Sequence, residues 1–379
     1  MLSPMYIKNE NLTQSGLEWL MVEICTTYAG VDKKSGVSTD KMLKHNQIKW
    51  VNENFYDLLK FHPEAEEPTS YRSAVASLYA HQRGEKVSAS IHVDASNQAL
   101  QLFAVLLSCK ETAMLCNLAT GNVRQDAYTM IAEKLNIFYS VSLFNRGNCK
   151  KALMTTLYGS TSQDVQLVCS IYKIDKDDED IKERIEELES ELNEGMSNPV
   201  KLKDAFNIIM LELAPSAMKA MSAIQTLNKL NREAYAWSLP DGFIVNYWVR
   251  ADVEVSAVRN VDGVDIEFSA IAKKVYQRDE ESRAMAPNII HSVDGYIVRE
   301  LVVRLGEWVS STHDAFTCHA NDVDRLISLY KDILVELLDS NLLNDIMFQV
   351  QADGKPIPLI KKADSLKESD IREAVYAMY

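Results

Sequence analysis

A chain of 379 residues with 47% apolar and 25% charged side chains is long enough to bury two or three subdomains and has the composition of an ordinary globular protein, which excludes intrinsic disorder. No apolar run approaches the length of a membrane span, and Met1–Glu10 lacks the basic patch and apolar stretch of a signal peptide, so the protein is expected to have no membrane partner and to stay in the compartment where it is made. The formal charge of −14 speaks against an evenly basic nucleic-acid binder, but eleven acidic residues fall between Asp175 and Glu194, and the remainder is near enough to balance for local basic clusters to line a cleft.

Periodicity predicts helix over Leu17–Tyr28, a loop over Gly30–Thr39 and helix again from Met42 to Phe61, ended by Pro63. Val87–Val93 alternates small polar with β-branched residues and is expected to be a strand that delivers Asp94 at its end. Helical spacing returns over Gln98–Cys116, and helices are expected to dominate up to about Leu230. Within that stretch Ile181, Ile185, Leu188 and Leu192 recur beneath the acidic residues, which reads as an exposed amphipathic helix and not as a calcium site. The last third is mixed. Val253–Phe268 holds two alternating runs joined by Asp262-Gly263, a strong β-hairpin signal. Two strands are expected on either side of His313-Asp314, between Trp308 and His319, followed by helix over Val323–Leu338. The six cysteines form no C-x-x-C pair and read as buried or free thiols of a reducing cytoplasm.

Three segments carry chemistry. Asp94, at a strand end and followed by Ala95-Ser96, is placed either to cap the helix beginning near Asn97 or to hold a hard cation while a neighbouring backbone carbonyl adds a second oxygen. Arg146, Lys150, Met154 and Tyr158 are four apart and form one slowly rotating stripe on an α-helix. Such a stripe is either the solvated basic end of a half-buried helix or a nucleotide site, with Arg146 and Lys150 on the triphosphate, Met154 against the base and Tyr158 closing the floor near the sugar. Gly147 and Asn148 weaken the first turn, which leaves Arg146 at a frayed helix end. Thr312-His313-Asp314-Ala-Phe316 reads as a turn between apolar strands, with an aspartate able to meet Asp94 across a cleft; Cys318 and His319 bring no second ligand pair for zinc.

In this order, Asp94-Ala-Ser96-Asn-Gln-Ala99-Leu-Gln101, Arg146-x-x-x-Lys150 running into Met154-Thr-Thr-Leu-Tyr158-Gly159-Ser160, and His313-Asp314-Ala-Phe316 resemble motifs A, B and C of the palm-and-fingers polymerases. The nearest likeness is to the phage and mitochondrial single-subunit RNA polymerase branch. Ala29-Gly30-Val31-Asp32-Lys33, Pro240-Asp241-Gly242-Phe243, Glu281-Ser-Arg-Ala-Met-Ala286-Pro287-Asn288-Ile-Ile-His291-Ser292-Val-Asp294-Gly295, and Glu368-Ser369-Asp370 with Tyr376 and Tyr379 are similar too, so the resemblance runs nearly end to end.

The resemblance implies an α+β right-hand fold. Its palm, with an antiparallel sheet, would come from residues 1–105 (motif A) and 292–379 (motif C and a C-terminal foot), and mainly helical fingers from 106–291 (motif B and a hairpin near 250–270). It further implies catalytic roles for Asp94, Asp314, Lys150, Arg146, Tyr158, His291 and His313, and nucleotide contacts from Arg146, Lys150, Met154, Tyr158, Gly159, His291 and Lys33. Two Mg²⁺ ions on Asp94, Asp314 and the Ala95 carbonyl would serve in-line transfer from ribonucleoside triphosphates onto an RNA product copied from a DNA template.

Five positions after the motif A aspartate, related DNA polymerases carry a glutamate that walls off the 2′-hydroxyl; here Ala99 stands there, where the RNA polymerase pattern has glycine, and leaves room for ribose. Tyr158 and His291 match the pair that recognises that hydroxyl, so RNA synthesis is expected over DNA synthesis. A DNA polymerase of the same superfamily and an inactive homologue are the alternatives. The hairpin lies where the family keeps its promoter-reading loop, and Arg259, Asn260, Asp262 and Asp265 at its tip either reach base edges or sit on a plain surface hairpin. In the family a thumb, an N-terminal domain and an Arg-Gly-Arg palm segment precede the Ala29-Gly30 landmark, and no Arg-Gly-Arg occurs in this sequence. They are therefore expected on a second, more basic polypeptide, in an obligate heterodimer that looks like the split transcriptase of certain phages and works in the cytoplasm of an infected cell.

Overall fold

The computed structural model describes residues 6–120, 123–227, 234–248, 250–261, 264–276, 285–351 and 359–379. Its architecture is α+β and helix-rich, and the seven strands among the described residues form three small antiparallel sheets. These strands are β1 (Ser90–Asp94), β2 (Ala234–Ser238), β3 (Ile244–Trp248), β4 (Arg250–Val261), β5 (Val264–Tyr276), β6 (Val309–Thr312) and β7 (Ala315–His319).

The sheet that matters most has the order β1-β7-β6. Alternation decides its two faces: Ile91 and Val93 of β1 lie opposite Cys318 and Phe316 of β7, and all four are buried. His92 and Asp94 therefore emerge on the other face. The free edge of β1 is extended by the last residues of the chain, where the Tyr379 N–H donates to the Asp94 carbonyl at 2.9 Å and the Ser96 N–H donates to the Ala377 carbonyl at 3.3 Å. After β1 comes helix Gln98–Leu106, every residue of which is buried, as expected of a helix apolar nearly all round. Its cap is Asn97, whose side chain accepts from the Leu100 N–H at 3.1 Å.

Several expectations change in detail. Gln98–Cys116 is two helices, Gln98–Leu106 and Lys110–Leu115, parted where Ser108 turns left-handed (φ 49°). The cause is tertiary: Ala363, Ser365 and Leu366 donate their N–H groups to the Leu107 and Ser108 carbonyls at 2.8 to 3.1 Å, taking bonds that a continuous helix would have used. Met42–Phe61 likewise becomes α-helix Lys44–Asn54 and 3₁₀-helix Phe55–Glu64. Tyr71 and Tyr79 donate their hydroxyls to the Leu58 and Phe55 carbonyls, both at 2.8 Å, and so satisfy the tighter turn. Those tyrosines stand on a helix that was not expected, Pro68–Gln82, whose Tyr71, Ala74, Val75 and Leu78 have helical spacing.

The strand expected over Val87–Val93 is shorter, Ser90–Asp94, with Val87 making an isolated bridge to Glu10. The acidic segment forms helix Ile181–Leu192 on buried Ile181, Leu188 and Leu192. The expected hairpin is β4-β5, paired up to Val261 and Val264, while Asp262-Gly263 lies outside the described residues. Pro240-Asp241-Gly242 turns a second hairpin, β2-β3, with Gly242 at φ 79°. All six cysteines are buried free thiols.

Candidate active site

Antiparallel register brings the two expected carboxylates together. Asp94 closes β1 opposite Ala315, the first residue of β7, so the residue before it, Asp314, stands beside Asp94 in the turn from β6. The Ala95 N–H donates to the Asp314 carbonyl at 3.3 Å and holds the two segments in step. His313 takes the left-handed conformation this turn needs (φ 56°), one that histidine adopts more readily than most residues. Burial and the facing Asp314 charge push the Asp94 carboxyl up to about 6, against the opposing influence of the Ala95 N–H and Lys150. Asp314 is raised too, chiefly by burial.

Both carboxylates open into a cleft of about 280 Å³, whose opposite wall is helix Arg146–Leu157. Cys149, Ala152, Leu153, Thr156 and Leu157 face the core, which turns Arg146, Lys150 and Met154 outward to the cleft. The helix start is firm where a frayed end was expected. Asn145 and Asn148 form a reciprocal capping box, at 2.8 and 3.2 Å, so Asn148, which lowers helix propensity, also caps the helix. Tyr158 ends the helix and lines the cleft. Gly159 follows, buried and left-handed at φ 88°.

His291, on helix Met285–Leu305, stacks on the Tyr158 ring with centroids 5.0 Å apart and planes at 16°, and lies 6.3 Å from the His313 ring. Three aromatic rings thus connect the end of the basic stripe to the turn that carries Asp314. Glu281 to Ala284, just before this helix, lie outside the described residues. Lys33 is not brought in. It is exposed on the loop after Gly30 and is not among the residues lining the cleft. A larger groove, about 630 Å³, runs along that loop and includes Asp32, Lys34, Trp50 and Glu53. Its charges are paired locally, Lys34 with Glu53 at 2.7 Å and Lys41 with Asp40, so no reactive groups converge there.

Sequence reasoning missed four contributors. Asp126 caps helix Ala127–Tyr139 and also accepts from Arg146 Nε at 2.5 Å. Tyr128 lines the cleft beneath the Arg146 guanidinium, 5.2 Å from its ring centroid. Asn97 reaches the Tyr128 hydroxyl at 3.4 Å, and Gln98 joins the cleft wall. Aspartate before a helical pattern signals a cap; nothing local signals the arginine held on its other oxygen.

A carboxylate pair at strand ends facing a cationic helix across a cleft is an arrangement suited to nucleotidyl transfer. The sequence matches the family described as DNA-dependent RNA polymerase over residues 10–376, and the chain belongs to that family. It is similar to the Arabidopsis thaliana protein named DNA-directed RNA polymerase 1, mitochondrial, 24% identical over 99% of this chain and 40% of the relative. The Nicotiana tabacum DNA-directed RNA polymerase 3B, chloroplastic, is 22% identical over 98% of this chain and 40% of its own length. The chain thus spans about 40% of the length of these relatives. Among the described residues no helix is long and apolar enough to cross a membrane.

Proposed function

We propose that this chain is the catalytic portion of a template-directed RNA polymerase, with β1, β6 and β7 as the palm sheet carrying motifs A and C and the helical stretch within 106–291 as the fingers. The observation that carries this reading is the convergence of Asp94, Asp314, Arg146, Lys150, Met154 and Tyr158 on one cleft.

The donor set fits magnesium. Among the described residues no cluster of three or more His, Cys, Asp or Glu side chains stands ready to hold a metal by itself. Mg²⁺, however, is commonly bound by one or two carboxylates together with substrate phosphates, and hard oxygens are what Asp94, Asp314 and the Ala95 carbonyl offer. Two like charges that raise each other's cost in one cleft also gain from a cation placed between them. When bound, two such ions would supply activation of the primer 3′-hydroxyl and neutralisation of the leaving pyrophosphate.

The remaining roles belong to the chain. Lys150 neutralises charge on the leaving phosphates and is placed to donate a proton there. Arg146, oriented by Asp126 and Tyr128, grips the triphosphate in a fixed direction. Met154 lies against the base, and Tyr158 with His291 faces the sugar. His313 shapes the turn that aims Asp314. Primer extension on a DNA template, with ribo- and deoxyribonucleotides supplied side by side, tests the reading; no incorporation of either by the assembled protein would sink it.

Sugar choice follows from the Tyr158–His291 stack. A site built to bond a hydroxyl leaves its polar groups unpaired when that hydroxyl is missing. Tyr158→Phe should keep polymerisation and lower ribose preference by roughly tenfold or more, the worth of one such hydrogen bond. Unchanged preference would remove this role from Tyr158.

The proposal also places the thumb, the N-terminal domain and the Arg-Gly-Arg segment on a second, more basic polypeptide, in a phage enzyme acting in the host cytoplasm, with the β4-β5 hairpin near DNA. Purified from its native source, the chain should co-elute with that partner through a large apolar interface. Processive RNA synthesis by the isolated chain would refute a required partner.

A further inference from the structure

Behind the sugar end of the cleft lies a polar contact that the reading above does not use. Gln98 Nε2 donates to Asp294 Oδ1 at 2.6 Å, and both residues are only 7% exposed. Gln98 stands one residue before Ala99, at the start of the buried helix Gln98–Leu106, and lines the cleft. Asp294 follows His291 by three positions on helix Met285–Leu305, so the two side chains share a face of that helix. Two residues before Asp294, Ser292 accepts from Trp237 Nε1 at 3.1 Å, which ties another side of the helix to β2.

A buried carboxylate is costly to keep. Held by a single amide donor it is less favourable than an apolar side chain of similar volume, so general stability is a poor account of it. Its electrostatic neighbours give a better one. The Asp294 charge is attracted by His291 and His313, is repelled by Asp314, and helps raise the Tyr158 hydroxyl after burial and Asp314 have done so. One carboxylate thus acts electrostatically on all three rings of the aromatic series, and it is held by the side chain next to Ala99.

We infer that Gln98 and Asp294 are a positioning pair for sugar selection: their buried hydrogen bond couples the motif A helix to the helix bearing His291, and sets where the Tyr158–His291 stack stands relative to Ala99. This rests on the proposed role of Tyr158. Neither residue needs to touch the nucleotide sugar. The pair acts by fixing the distance between the wall at Ala99 and the stack that faces it, and a gap loosened there admits a deoxyribose whose missing hydroxyl is no longer penalised.

The test is the ratio of ATP to dATP incorporation on a primed DNA template, as kcat/KM, in the protein purified with whatever polypeptide co-elutes with it. Gln98→Leu removes the donor and should lower the ratio by roughly tenfold, mainly through faster dATP incorporation. Asp294→Asn keeps the volume and an oxygen for Gln98 but removes the charge, and should lower it by roughly threefold. If Gln98→Leu does not fold, Asp294→Asn decides alone. A ratio unchanged in the folded variants, or equal losses for the two sugars, overturns the inference and leaves the pair as ordinary packing. Tyr158→Phe, run alongside, separates the two failures: a normal ratio in that variant counts against Tyr158 as the sugar-sensing ring, whereas an altered ratio there with none in the pair variants counts against the pair alone.

Discussion

Asp94→Asn and Asp314→Asn are each expected to reduce primer extension by at least roughly a thousandfold, because on the proposed reading each removes one formal charge from a cation site worth several kcal/mol of transition-state stabilisation. Folding should not suffer. In metal-free buffer the two carboxyls line the same cleft, and desolvation there together with the Asp314 charge pushes Asp94 up to about 6. A carboxyl raised on folding favours the folded state below its unfolded value, near 4, and that contribution is lost as pH rises through about 6. The wild-type chain without metal should therefore lose stability across that window. Since the group is still partly solvated, the loss is on the order of 1–2 kcal/mol. Asp94→Asn should lack the loss and melt at an equal or higher temperature above pH 6, where Mg²⁺ should raise the melting temperature of the wild type and not of the variant. Extension near the wild-type rate in either variant would remove these residues from the chemistry. Melting well below the wild type in metal-free buffer would show instead that the carboxylates are structural.

On the proposed reading Lys150→Met should cost roughly a hundred- to a thousandfold in kcat, the range found when one preorganised donor to a developing oxyanion is deleted. Lys150 is exposed on the cleft side of helix Arg146–Leu157, close enough to Asp94 to lower its pKa, so removing the ammonium leaves the helix core of Cys149, Ala152 and Leu153 untouched. Lys150→Arg should recover part of the rate, since charge is kept while its position shifts. Steady-state kinetics with varied nucleotide distinguish the role: a raised KM at unchanged kcat would mean that Lys150 only binds the triphosphate equally in ground and transition states.

Much of this site was legible in the sequence. A strand ending in Asp94, a helix presenting Arg146, Lys150, Met154 and Tyr158, and a hairpin presenting Asp314 are all local objects, and each carries its own signal. Alternation of period two in Ile91 and Val93, spacing by four along the basic stripe, and a polar pair between two apolar runs are set by backbone geometry within about a dozen residues. The order of these pieces was enough for the resemblance, and the sheet register then placed Asp314 beside Asp94 without further assumptions.

What only the tertiary structure decided is where distant polar groups meet. Ser108 breaks the Gln98–Cys116 pattern because Ala363–Leu366 supplies competing N–H donors. Asn148 firms the helix that propensity says it should weaken, because Asn145 is there to exchange bonds with it. Asp126 turns a plain cap into an arginine holder, Lys33 stays outside the cleft, and Gln98 finds Asp294 on a different helix. Hydrophobic burial writes a periodic trace into the chain because every turn or pleat repeats it. A hydrogen bond between single side chains far apart in sequence repeats nothing, and becomes visible only when the packed helices bring donor and acceptor to within about 3 Å.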